Sequence, residues 1–360
     1  MVAKLHKVSR RRLSRREFLK LGGAATASAL LAGCAGQAVS PTDTSIQAPT
    51  SLPTSLLETP ARAPTQTLNP TLTSSAGTPE ESPLPVTPTS ANLTYLAVAH
   101  GSDPETITKT ALAALGGIER FVKSGNNVIL KPNICTDYNP PEYASTTNPT
   151  VVATLVKLCL GAGARRVRVM DNPFGGTAES AYAISGIAEA VKSAGGEMEV
   201  MSPVKYARFD IPQGKDIKSW EFYRDILEVD VLINVPIAKH HSLARLTLGG
   251  KNMLGVINSA NMIHQNLGQR IADLLSRIRP ALTVIDAVRI LVAHGPTGGS
   301  LNDVKQTNTI IASPDIVAAD AYGTTLFGLT GADISYVKAS AEMGLGTLDL
   351  NSIKVEEING

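Results

Sequence analysis

The sequence predicts a single α/β domain with a mainly parallel central sheet flanked by helices. Three observations carry this. From Tyr95 onward, short apolar strands alternate with longer helical segments, the pattern of successive βαβ units. Runs such as NVILK (127–131) and DVLIN (230–234) are apolar throughout, as expected of strands covered on both faces. No repeat of solenoid or propeller length is present.

Tyr95–Ala99 reads as the first strand, and Glu105–Lys123 as a helix interrupted by Gly116-Gly117. Asn127–Lys131 is the second strand. Asn148-Pro149, a cap followed by proline at the first helical position, opens a helix over Thr150–Leu160. Arg165–Met170 is a strand, Glu179–Ser193 a helix and Glu197–Met201 a strand. Residues 203–223 are less periodic and predict an edge hairpin. Asp230–Asn234 is a strand, Asn266–Ile278 a helix stopped by Pro280, and Ala281–Ile285 and Asn308–Ala312 are strands. Helices over Ile316–Leu326 and Ile334–Met343 and a strand over Ile353–Glu356 complete the domain, residues 95–360.

The N-terminal part is of another kind. Residues 1–33 hold eight Lys/Arg and one acid, and end in an apolar run, Leu21–Leu31, too short to span a bilayer. Ser14-Arg15-Arg16-Glu17-Phe18-Leu19-Lys20 resembles the twin-arginine export motif, with Arg15 and Arg16 the pair read by the export machinery. Substrates of that route typically cross the membrane folded, often with a cofactor already loaded. Leu31-Ala32-Gly33-Cys34 resembles a lipoprotein box, with Cys34 the lipidated new N-terminus. The expectation is an extracytoplasmic protein anchored to the membrane by that lipid. Residues 35–94 carry ten of the 22 prolines among Ser, Thr and Ala, the composition of a disordered tether.

Composition narrows the function. The formal charge of +2 averages a basic leader with a remainder of −5, so no basic field for nucleic acid exists. At 4% aromatics, a base- or sugar-stacking platform is excluded, and three Cys provide neither a disulfide framework nor four ligands for a cluster. There is no dinucleotide fingerprint, P-loop or nucleophile elbow. Cys159 reads as buried, and Cys135 borders the expected site. Two unlinked thiols are expected, with a disulfide as the alternative outside the cytoplasm.

Ligands in open α/β sheets bind beyond the carboxyl ends of the strands. There the sequence places Lys131 and Asn133, Asp171, Asn234, and Asp286. The richest stretch is 234–256, NVPIAKHHSLARLTLGGKNMLGV, which has Lys239, His240, His241, Arg245 and Lys251 with no acid. Thr247, Gly249, Gly250, Asn252 and Gly255 add small groups and backbone donors. Concentrated cations with glycine favour a phosphate or carboxylate ligand. His240 and His241 are adjacent, so on a strand they point opposite ways. His241 is the acid/base candidate, because its unperturbed pKa lies near neutrality. Asp171 and Asp286 would orient it or bind a cation. The ligand-binding set is Lys131, Asn133, Asn234, Lys239, Thr247, Lys251 and Asn252. His241, His294, Asp171 and Asp286 could converge on a metal, but no metal-ligand spacing is present, so metal and cofactor stay unassigned.

Several of these residues carry a resemblance. Lys131-Pro132-Asn133, Asn234-x-Pro236-x-x-Lys239-x-His241, Thr247 with Lys251-Asn252-x-x-Gly255, Asp286, Gly295-Pro296, Gly299, and Ser313-Pro314-Asp315 with Asp320 resemble domain-of-unknown-function family 362 over roughly residues 95–345. Members are often fused to iron–sulfur modules. This chain has no iron–sulfur cluster motif, so a cluster bound by this chain alone is not expected; a redox partner protein stands among the candidate partners. The resemblance implies no settled reaction. The leading expectation is a membrane-anchored enzyme, redox-linked or not, acting on an anionic ligand or cofactor. The alternative is a solute- or cofactor-binding lipoprotein without catalysis.

Overall fold

The computed structural model describes residues 95–359. The export motif with Arg15 and Arg16, the lipidation site Cys34 and the tether at 35–94 lie outside the described residues. In chain order the elements are β1 (Leu96–His100), α1 (Pro104–Ala114), β2 (Asn127–Pro132), α2 (Pro149–Gly161), β3 (Arg166–Val169), α3 (Ala178–Ile184), α4 (Ile187–Ser193) and β4 (Glu197–Met198). There follow β5 (Tyr206–Asp210), β6 (Ser219–Tyr223), α5 (Arg224–Glu228), β7 (Val231–Val235), β8 (Ile237–His241), β9 (Arg245–Thr247), α6 (Gly249–Asn252) and α7 (Leu267–Arg277). The last are β10 (Leu282–Leu291), β11 (Val304–Ser313), α8 (Ile316–Thr325), α9 (Ser335–Glu342) and β12 (Val355–Asn359).

The central sheet runs β12-β1-β11-β10-β7-β2-β3-β4. Its pairs are parallel except where β11 meets β1 and β10. Alternation divides each strand between two cores. Leu96, Val98, Ile129, Leu232 and Ile285 face α7, α8 and α9, where Ile271, Leu274, Val317 and Val337 meet them. Ala97, Ala99, Val128, Leu130, Ile233 and Val284 face α1, α2 and α4, against Ile107, Leu112, Val152, Leu155 and Val191. The result is a mainly parallel α/β domain of three layers.

Glycine accounts for two differences from the expected elements. The first helix ends at Ala114 because Gly116 and Gly117 take φ of 93° and 83°. The helix expected over 179–193 is two helices, parted at Gly186 with φ 71°. Left-handed backbone cannot continue an α-helix. The hairpin at 203–223 exists as β5–β6, but as a separate two-stranded sheet rather than an edge of the main one. The strands β10 and β11 each run ten residues, well beyond their expected ends, because they pair with one another in a long antiparallel ladder. The hairpin β8–β9 was not expected at all; it continues β7 past Pro236, and β8 also pairs with β10.

The Ser313-Pro314-Asp315 segment proves to be a helix cap. Asp315 accepts the Val317 and Ala318 N–H groups at 2.8 and 3.0 Å, the Thr347 N–H at 2.9 Å and the Tyr95 hydroxyl at 3.1 Å. Asp315→Ala removes the cap and strands two buried donors. It is expected to lower unfolding free energy by about 1–2 kcal/mol, read as a reduced urea midpoint with unchanged slope.

Candidate functional site

Beyond the carboxyl ends of β2, β3 and β7 lies a cleft of about 440 Å³. The β8–β9 hairpin, α6 and the turns around Asn133, Asp171 and His264 enclose it. Of the sequence-derived candidates, Lys131, Asn133, Asp171, Lys239, His241, Thr247, Lys251 and Asn252 line this cleft, and Asn234 and Asp286 do not. Phe174 and Leu243, both exposed, form an apolar rim.

The floor is a buried polar network. Lys131 and Asn234 are paired across β2 and β7 and lie on the same sheet face as Ile129 and Leu232. The Lys131 ammonium contacts Asp171 Oδ1 at 2.7 Å, Asn252 Oδ1 at 2.8 Å and the Pro132 carbonyl at 2.9 Å. An ammonium has three protons, so Lys131 is saturated. Burial pulls its pKa down while Asp171 pulls it up. Asp171 also accepts the Ile134 and Asn172 N–H groups at 2.6 and 2.9 Å. Asn252 donates to the Lys131 carbonyl at 3.1 Å and to Asn234 Oδ1 at 2.8 Å, and Asn234 donates to the Gly249 carbonyl at 3.1 Å. Lys131, Asp171, Asn234 and Asn252 therefore build the floor and have little left to offer a ligand, which corrects their expected roles as direct contacts and acid/base groups.

The glycines serve this network rather than a ligand. A Cβ on Gly255 would lie 2.1 Å from Asp171 Oδ1 and 2.7 Å from Lys131 Nζ, and one on Gly249 would lie 2.7 Å from Asp320 Oδ1. Asp320, inside α8, accepts the Gly249 and Gly250 N–H groups at 2.6 and 2.8 Å, and burial pushes its pKa up to about 7. It pins the start of α6. The signal for it was an acid within an otherwise apolar helix.

Asp286 is displaced for a reason of parity. It follows Val284 and precedes Val288, both on the α1–α2–α4 face, opposite the cleft. There it accepts the Asn148 N–H at 2.7 Å and the Val288 N–H at 3.0 Å, and burial pushes its pKa up to about 6. It holds the cap of α2 and does not orient His241. The four-residue metal set also fails to assemble, since exposed His294 pairs with Asp303 at 3.0 Å. Among the described residues, no cluster of three or more His, Cys, Asp or Glu could hold a metal ion.

The walls carry the groups that remain available. Lys239, 1% exposed, donates to the Ser145 and Pro296 carbonyls at 2.6 and 2.9 Å, and burial lowers its pKa while Cys135 opposes the shift. Lys251 makes no side-chain hydrogen bond or ion pair among the described residues. Burial, then Lys239, lowers its pKa to about 8. His241 Nδ1 accepts the Leu243 and Ala244 N–H groups at 3.1 and 3.3 Å, which leaves the proton on Nε2. Burial, then Lys251 and Lys239, lowers its pKa to about 3. His241 is thus a neutral hydrogen-bond donor, not the expected base. His240 lies off the cleft and accepts the Gly295 N–H at 3.1 Å. The Asn133 Oδ1 atom is buried without a donor. Sequence reasoning had placed Cys135 only at the border and missed His264; both line the cleft. Cys135 and Cys159 are free thiols, the latter raised to about 12 by burial.

These features define a mainly parallel α/β protein with a cationic cleft at the carboxyl edge of its sheet. The chain belongs to the family described as Domain of unknown function (DUF362), whose model matches residues 128–325. It is similar to a thylakoid-associated protein of Synechocystis, 28% identical over 252 residues, 66% of this chain and 74% of that protein. Among solved structures, the lactate racemase apoprotein from Thermoanaerobacterium thermosaccharolyticum matches at TM-score 0.42 and 15% identity, over 64% of this chain and 56% of that one. A Thermotoga maritima protein matches at TM-score 0.37 and 12% identity, over 64% and 60%. The chain spans less than two thirds of either solved structure.

The two kinds of lysine predict opposite effects on stability. Lys131→Met or Asp171→Asn leaves a buried charge uncompensated and is expected to cost about 3–5 kcal/mol. Lys251→Met removes a charge that has no partner, so its melting temperature should equal or exceed that of the parent. Thermal melts at neutral pH compare the three directly.

Proposed function

We propose that the chain is an exported, membrane-anchored protein that takes a small anionic ligand in this cleft and acts on it as an enzyme. The observation that carries this is Lys251, an amine facing the cleft without an acceptor, beside a Lys239 whose partners are neutral carbonyls. A carboxylate or phosphate supplies the missing counter-charge, and the His241 Nε2–H donates to it. The sequence motifs at Arg15-Arg16 and Cys34 support export and anchoring.

A second reading is binding without turnover. It is favoured by the want of a free base: the Asp171 carboxylate is fully bonded and His241 Nδ1 is occupied. Product formation with bound ligand in excess decides between the two.

Sulfate tests the anion site, because its charge is constant across the relevant range. The Lys251 pKa is depressed to about 8, so its ammonium form predominates below that pH and is lost above it. Sulfate affinity, measured by calorimetry, should be highest below pH 8. Above it, affinity should fall by up to about tenfold per pH unit, the slope of one linked proton. Lys251→Met should abolish both binding and slope. Affinity independent of pH and of Lys251 would exclude the site.

For export, the paired substitution Arg15→Lys with Arg16→Lys should leave the protein in the cytoplasm of its own host. Cys34→Ala should be exported but released from membranes. Cell fractionation reads both.

A further inference from the structure

Cys135 sits at the inner wall of the cleft, 5% exposed, directly after the floor residues of β2. It donates to the Pro296 carbonyl at 3.6 Å, the same oxygen that receives the Lys239 ammonium. Lys131, Lys239 and Lys251 line the same cleft as the thiol. Of these three amines, only Lys131 has a carboxylate partner. The other conspicuous feature of the cleft, Lys251 without an acceptor, lines the same space. A thiol that lines a cavity beside cations is placed to act as a nucleophile on an anionic ligand held there. Cys159, wholly buried among the apolar side chains of α2, is the inert counterpart in the same molecule.

We infer that Cys135 is the nucleophile of the cleft and that its substrate class is a small carbonyl compound bearing a carboxylate or phosphate, an inference that rests on the anion-site reading above. Lys251 and His241 hold the anion and the carbonyl oxygen. The Cys135 sulfur adds to the carbonyl carbon, forming a C–S bond. The S–H proton leaves to solvent, the carbonyl π pair moves to oxygen, which takes a proton from the Lys251 ammonium, and solvent reprotonates Lys251, leaving a hemithioacetal with no net proton change. No oxidant or reductant is consumed.

Alkylation tests this on the full chain. Sulfur displaces iodide from either iodoacetate or iodoacetamide, and an ordinary exposed thiol reacts faster with the neutral reagent because its thiolate repels the carboxylate. In this cleft the order should invert. Peptide mapping by mass spectrometry should show Cys135 labelled faster by iodoacetate than by iodoacetamide, with Cys159 unlabelled. In Lys251→Met the iodoacetate rate should fall by about tenfold or more, the loss of a focused positive field, with little change for iodoacetamide. Sulfate should protect Cys135 in the parent. A Cys135 that is unlabelled, or that prefers iodoacetamide in the parent chain, overturns the inference with no variant needed. Sulfate binding that depends on Lys251 alongside an unreactive Cys135 overturns only the nucleophile; loss of both overturns the anion site as well.

Discussion

The buried contact between Lys131 and Asp171 is the constraint on which the cleft depends. Two opposite charges removed from water are tolerable only when every remaining proton and lone pair is used. That requirement brings Asn252, the Pro132 carbonyl and the Ile134 and Asn172 N–H groups to fixed positions around the pair. It also brings the backbone at Gly255 so close that a methyl group would overlap Asp171. Three strands and the glycine-rich segment therefore meet at one point. The floor is rigid because its polar groups are mutually satisfied, not because it is apolar.

Three lysines line the same cleft and meet three different fates. Lys131 is neutralised by a carboxylate and serves the fold. Lys239 is solvated by two carbonyls, which satisfy its protons but leave its charge in place. Lys251 is left with neither. The net effect is a positive potential generated by Lys239 and presented by Lys251, in a chain whose folded part carries no overall basic charge. Coulombic effects reach further in such a partly dry cleft than at the surface, so Lys251 and Lys239 add to the burial that already lowers the His241 pKa.

Much of this was legible in the sequence. The strand–helix alternation identified the layers, and proline after Asn148 marked the start of α2. The clustering of Lys, His and Asn after the strands located the cleft. Element ends were less legible wherever glycine turned the chain left-handed, as at Gly186, because a tolerated glycine and a helix stop look alike in one sequence. Asp286 was assigned to the wrong face although its parity with Val284 and Val288 was available. What no pattern could disclose was the division of labour among the lysines. That depends on which acceptors the fold brings within 3 Å, and those come from residues as distant as Ser145 and Pro296.

That dependence on distant carbonyls shapes the outer wall too. Lys239 joins the turn containing Ser145 to the loop containing Pro296, while His240, on the other side of the same strand, receives the Gly295 N–H. Adjacent residues of β8 therefore hold one loop from two directions. This fixes the Pro296 carbonyl against Cys135 and sets the thiol's distance from the cations. If a carboxylate had been used at Lys239, the loops would have been tied equally well, but the cleft would have lost the charge that distinguishes it. Neutral carbonyls tie the loops and preserve the field at once.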